Sequence, residues 1–378
     1  MGGSVKFLST VSLLLSLVAY ASAGVLAGLP LSFTNNIASE FEISIPVPRA
    51  PESPFSENAD RLAEFKFITS KLESVYSHLE SKQKNYNFSY EALKVQYQER
   101  VQRTVSDNDY QATLYTFFKF FHDPHLWIRF DSKSQLRSAT GPAVVNTLTD
   151  DMVLITKITR LSGDGVEIRN KLEESLKLAK NAKALIIDLR GNGGGNDSLA
   201  YDYVSKLVAH EIPQGMYSVR ISSESIAKFG NLPADPTRPG FSEWKPLVLT
   251  PQTKESFKGP IGVLIDGGCV SSCEGTAVAF KFSGMAVLYG SKTRGSSGNP
   301  VNIPLPNSNG SISIPRWIRI MPDGNPIEDH GILPDVEVSD PQDALNVALQ
   351  DVRSKMLPLS SEKNLMYGFR TNQSDIPL

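Results

Sequence analysis

Residues 261–282 read Ile261-Gly262-Val263-Leu264-Ile265-Asp266-Gly267-Gly268-Cys269-Val270-Ser271-Ser272-Cys273-Glu274-Gly275-Thr276-Ala277-Val278-Ala279-Phe280-Lys281-Phe282. An apolar strand pattern runs into glycines and small residues, and a helix-compatible run from Glu274 leaves them. A strand that turns sharply into a helix presents a side chain at the helix N-terminus. Free backbone N–H groups and the helix dipole favour developing negative charge there. A serine in that place, Ser271, is positioned as a hydrolase nucleophile would be.

The same alternation continues outward. Met152–Ile158 predicts a strand, Val166–Ala182 a helix, and Ala184–Leu189 a strand buried on both faces. The glycine run Arg190-Gly191-Asn192-Gly193-Gly194-Gly195 follows, then a helix over Ser198–His210. Met285–Tyr289 predicts another strand, 300–320 a hairpin with loop Pro304–Gly310 and a second arm Ile312–Ile320, and Pro341–Met356 a last helix. Upstream the pattern is helical. Leu62, Phe65, Ile68, Leu72, Val75 and Leu79 recur at three- and four-residue spacing, Tyr90–Thr104 follows the N-cap Ser89, and Asp109–Phe121 stops at His122-Asp123-Pro124-His125. This order predicts an α/β layer preceded by an N-terminal helical domain.

Composition narrows the classes. The 378 residues are 40% hydrophobic and 21% charged, with 38 basic against 40 acidic side chains, so neither nucleic acid nor an acidic membrane surface is the expected partner. Lys6, the apolar run Phe7–Tyr20 and Ala21-Ser22-Ala23 predict a secretory signal peptide over 1–23. That run is short of the roughly 20 residues of a membrane span, and no later stretch is apolar enough to cross. A soluble, secreted protein with no membrane contact after cleavage is expected. Residues 24–57 read as a linker or pro-segment, 58–130 as the helical domain, 131–357 as the catalytic core and 358–378 as a polar tail. Asn87, Asn196, Asn309 and Asn372 open Asn-x-Ser sequons. Cys269 and Cys273, the only cysteines, can form a disulfide, act as a reactive pair or pack as thiols. They give too few ligands for a metal site, and no cofactor is expected.

A serine needs a base to take its proton. His125 sits between a proline-containing break and the strand-like Leu126-Trp127-Ile128, where neighbouring elements hold a side chain firmly. Glycines at the end of a buried strand let backbone N–H groups approach a ligand. The run at 191–195 lacks the Lys-Ser/Thr ending of a phosphate loop and is not spaced Gly-x-Gly-x-x-Gly. An oxyanion hole made by Gly194 or Gly195 together with Ser272 is the preferred reading.

Four segments together resemble a known family. Leu185–Gly195 looks like the strand-loop signature of the tail-specific, or C-terminal processing, serine peptidases. Val263–Glu274 resembles their nucleophile segment, with the serine three positions before an acid. Pro326–Val336 is similar to their C-terminal motif, and Asp123-Pro124-His125 to their Asp-x-His turn. The resemblance implies a crotonase-like (ClpP/crotonase) spiral core and a polypeptide substrate. Members with a Ser-Lys dyad carry the lysine 25 residues after the serine, but position 296 is a serine here, and Lys292 is a poor substitute. The chain therefore resembles the tricorn-core and chlamydial protease-like branch, which implies a Ser271-His125-Glu328 triad. Similarity to secreted fungal relatives with Cys-x-Ser-x-Cys implies a Cys269–Cys273 bridge. Residues 131–183 leave no room for a full PDZ domain. The rival readings are a non-catalytic carrier of apolar ligands or peptides, as interphotoreceptor retinoid-binding proteins use this fold, and a secreted esterase.

Overall fold

Two short strands, Ala184–Asp188 and Ile261–Ile265, are buried at every position, as strands covered on both faces must be. They form the centre of the protein. The computed structural model describes residues 58–130, 141–340 and 342–356, all within one unit that begins at Pro54. The expected signal peptide, linker and polar tail lie outside the described residues.

The chain first forms four helices, α1 (Asn58–Val75), α2 (Leu79–Tyr86), α3 (Tyr90–Gln102) and α4 (Asp107–Lys119). Ser89 and Ser106 cap the last two by accepting the N–H groups of Ala92 and Asp109. The helical run expected from Leu62 to Leu79 breaks at Tyr76–His78, where Ser77 N–H donates to the carbonyl of Pro315. Phe65, Ile68, Leu72, Phe117 and Phe121 share a core with Ile312 and Ile314 of the body. Strand β1 (Trp127–Phe130) crosses to the body and pairs antiparallel with β10 (Gly310–Ile314), itself paired with β9 (Val301–Pro304).

The main sheet holds β2 (Val144–Leu148), β3 (Val153–Ile158), β4 (Ala184–Asp188), β7 (Ile261–Ile265), β8 (Ala286–Gly290) and β12 (Val336–Glu337), in the order β12-β8-β7-β4-β3-β2. Only β2 runs antiparallel to its neighbour. Helices α5 (Gly165–Ala179), α6 (Asp197–Ser205) and α8 (Ser272–Lys281) supply Leu172, Leu199, Val204 and Ala277 to one face, against Ile187 and Val263. On the other face α9 (Ala344–Lys355) packs Ala344, Ala348 and Val352 against Ile186 and Leu264. A third sheet orders β11 (Trp317–Ile320), β5 (Ile212–Val219) and β6 (Lys245–Leu249), with α7 (Ser223–Phe229) after β5.

The mixed α/β body with a helical N-terminal region is the architecture that the sequence predicts. Two details differ. The arm expected over Ile312–Ile320 is two strands in two sheets, because Pro315 has no N–H to continue a ladder and the chain crosses over at Arg316, whose N–H donates to Gly298. Helix α6 ends at Ser205 rather than His210, since the chain turns there to feed β5 and the Leu207 carbonyl accepts the Phe257 N–H.

Candidate active site

Strand β7 delivers the chain through Asp266-Gly267-Gly268 to Ser271, the N-cap of α8. Ser271 has φ +62° and ψ −119°, a strained conformation for a residue with a Cβ. Cys269 and Cys273 form a disulfide with their Cα atoms 5.3 Å apart, so a bridge closes the turn on both sides of Ser271. Glu274, one turn into the helix, is fully buried. It accepts the Ser271 N–H (3.1 Å), the Ser296 N–H (2.9 Å), the Gly295 N–H (2.7 Å) and the Thr293 hydroxyl (2.6 Å). Burial pushes Glu274 above its ordinary carboxyl value and these donors oppose it. Four donors converging on two oxygens suit the carboxylate, which has no proton to place.

The glycine loop packs directly on this turn. A Cβ at Gly194 (φ +88°) would stand 2.6 Å from the Val270 carbonyl oxygen and 2.8 Å from Ser271 Cβ. At Gly195 (φ +143°) it would overlap the Leu161 carbonyl, at 2.1 Å from its carbon. Gly194 N–H donates to Asn192 Oδ1 at 2.8 Å, so that N–H, expected as an oxyanion donor, is taken up within the loop. Gly195 N–H has no hydrogen-bond partner among the described residues. Ser272 Oγ donates to the Gly195 carbonyl at 2.8 Å. The Ser272 hydroxyl is thus committed to joining loop and helix, while its N–H lies in the first helical turn, where no intrahelical acceptor exists.

His125 is set by Asp123, whose Oδ1 accepts the His125 N–H (2.8 Å) and whose Oδ2 accepts the Tyr76 hydroxyl (2.9 Å). Its Nδ1 lies 2.7 Å from Ser296 Oγ, and the Ser296 carbonyl accepts the Ser271 N–H at 3.2 Å. The fully buried Ser296 therefore touches the imidazole, the Ser271 backbone and Glu274. Ser271 and His125 do not hydrogen-bond to each other. Burial lowers the His125 pKa, against the pull of Asp123 and Asp197, which favours a neutral ring.

Glu328 does not reach the imidazole. One oxygen accepts the Ser297 N–H (2.8 Å) and the other lies 2.6 Å from Lys82 Nζ. Lys82, fully buried, also reaches Asp329 at 2.5 Å. Burial and the Asp123 charge push the Glu328 carboxyl well up, with Lys82 opposing. The place expected for Glu328 on His125 Nδ1 is taken by Ser296, one residue from the backbone that Glu328 holds. Sequence reasoning missed Ser296 because it sought a lysine there. It also missed Lys82 and His78, whose Nε2 lies 2.9 Å from the Ser297 carbonyl. Their signal was the break after Val75, which turns one face of α2 inward. The other histidines are structural: His122 stacks on Tyr86, His210 meets the Ser283 carbonyl and His330 the Glu328 carbonyl. Of the sequon asparagines, Asn87, Asn196 and Asn309 are exposed, Asn196 also capping α6 through Ser198 N–H. Asn372 lies outside the described residues.

The fold that carries this turn, and part of its sequence, have counterparts among known proteins. Residues 153–338, nearly half of the chain, match the family model of peptidase family S41. Over these residues the chain is similar to the S41 peptidases. Solved structures with the same fold include a lipoprotein from Streptococcus agalactiae, 16% identical, with a TM-score of 0.57 over 82% of this chain and 100% of that one. Mature CPAF is 12% identical, with a TM-score of 0.59 over 78% of this chain and 95% of that one. Its complex with lactacystin is also 12% identical, with a TM-score of 0.56 over 79% and 97%. At these identities the likeness is one of fold. No curated protein matches the chain as a relative. The S41 match over these residues marks the protein as a serine-type peptidase, a class that acts on polypeptides. Among the described residues no helix is long and apolar enough to cross a membrane.

Proposed function

We propose that this chain is an exported endopeptidase in which Ser271 is the nucleophile and His125 the general base. The observation that carries the reading is the Ser296 bridge, which contacts the His125 ring and the Ser271 backbone at once. For His125 to take a proton at Nε2, its Nδ1 must carry one, and Ser296 Oγ is the acceptor in place for it. In ligand-free sites the nucleophile–base hydrogen bond is often long and tightens on substrate. Attack by Ser271 Oγ on a peptide carbonyl forms the Oγ–C bond while its proton passes to His125 Nε2. That proton then goes to the leaving amine as the C–N bond breaks, and water resolves the acyl-enzyme by the reverse relay.

Charge on the carbonyl oxygen would be met by the N–H groups of Gly195 and Ser272, which the Ser272 Oγ contact holds beside each other. Gly194 supplies closeness rather than a donor. Glu328 completes the triad indirectly: by fixing Ser297 N–H it holds Ser296 on the imidazole. Export is supported by the signal-like N-terminus and by the disulfide, which persists in oxidising compartments. The exposed sequons suit that route.

The test compares the purified protein on an unfolded polypeptide and on small esters. Cleavage of the polypeptide, lost in Ser271→Ala, is expected. Ester hydrolysis without peptide cleavage would point to an esterase, and lipid retained with neither activity would point to a carrier.

A further inference from the structure

Beside the His125 turn lies a cavity of about 860 Å³, within the usual range for a small-ligand or side-chain pocket. Tyr115, Phe118, Trp127 and Ile128 wall it, and Lys119 and Arg294 stand among them. Two carboxylates also line it, but both are engaged. Asp123 accepts from Tyr76 and from His125 N–H, and Asp329 from Lys82, Asn85 and Tyr86. Lys119 and Arg294, by contrast, are exposed and make no ion pair among the described residues. The cavity thus offers aromatic walls and two uncommitted cations. It adjoins the machinery on two segments: Asp123, Pro124 and Leu126 flank His125, and Gly295, also in its lining, precedes Ser296.

From this we infer that the pocket is a substrate subsite for a large apolar side chain lying next to a carboxylate. The apolar group would be desolvated against Phe118 and Trp127, and the carboxylate would meet the Arg294 guanidinium, with Lys119 as a second charge. The carboxylate can belong to an Asp or Glu side chain or to a chain end, since the cations recognise the same group in both. The inference rests on the peptidase reading, because it takes the occupant to be substrate.

The experiment measures binding with chemistry blocked. The full chain carrying Ser271→Ala is titrated by fluorescence anisotropy with labelled peptides containing Phe-Glu, Phe-Gln or Ala-Glu between capped ends. A second pair ends in Phe as free acid or as amide. We expect at least one carboxylate peptide to bind about tenfold or more tightly than its neutral counterpart, the size of a charge-assisted hydrogen bond. Where that peptide is Phe-Glu, it should also outbind Ala-Glu. The preference should vanish in Arg294→Gln/Lys119→Gln, two exposed positions whose change leaves the core intact. A preference in the capped set assigns the side-chain carboxylate, and one in the terminal set the chain end. No preference in either set, or one that survives the double substitution, overturns the proposal. Cleavage of the same peptides by the wild-type chain is scored separately: cleavage without preference sinks only the pocket, and Arg294-dependent binding without cleavage sinks only the peptidase mechanism.

Discussion

At the scale of single residues, the site is organised by what Ser296 touches. Removing its hydroxyl leaves His125 Nδ1 without its partner, and a hydrogen bond to a ring that becomes charged is worth about 1.5–3 kcal/mol. Ser296→Ala should therefore lower kcat about 10- to 100-fold with little change in KM, measured by steady-state kinetics on one peptide. His125 also fixes a pH dependence. As the proposed base it must be neutral, and burial holds its pKa below the ordinary 6.5. Activity should then persist as pH falls past that value and be lost only at lower pH, so the acid limb of a kcat/KM profile lies below 6.5. In Ser296→Ala that limb should move. Protonating a buried neutral histidine favours the unfolded chain, so the His125 contribution to stability is likewise lost as pH falls through its folded pKa.

At the scale of elements, the glycine loop and the turn into α8 are fitted to each other. Gly194→Ala puts a Cβ against Val270 and Ser271 at a left-handed φ, and strain with overlap should cost at least about 2 kcal/mol. A chemical melt should show the loss, and peptidase activity should fall with it because the displaced group is Ser271. The disulfide closes a very short loop, so Cys269→Ala/Cys273→Ala should cost about 2 kcal/mol by loop entropy. Much of this was legible in the sequence. The all-apolar run of β4, the strand-to-helix turn at Ser271 and the glycine run beside it each carry their chemistry locally. What was not legible depends on distant segments. Ser296 and His125 lie 171 residues apart, and no local pattern says that their side chains meet. Lys82 reads as a surface lysine until the break at Tyr76–His78 turns α2 inward. Pro315 is visible in the sequence, but alternation continues on either side of it and hides the break between two strands.

At the scale of the whole molecule, Lys82 ties the helical region to the body. It is fully buried between Glu328 and Asp329 and also donates to the His122 carbonyl. Breaking a buried ion pair by removing one partner leaves uncompensated charge and typically costs 3–5 kcal/mol. Lys82→Met should lower stability by about that amount in a denaturant titration, and adding Glu328→Gln should recover part of the loss. Activity should follow, since the 295–297 segment that Glu328 holds is the one that meets His125. The helices therefore act as part of the active site's frame, through β1, the shared aromatic core and this ion cluster. The central claim is that Ser271 is the nucleophile and His125 its base, and the most direct measurement is covalent labelling. A fluorophosphonate added to the folded protein, followed by peptide mapping, should place one adduct on Ser271, and His125→Ala should slow its formation about 10⁴-fold or more. An adduct on another serine, no adduct, or a labelling rate unchanged by His125→Ala would contradict it.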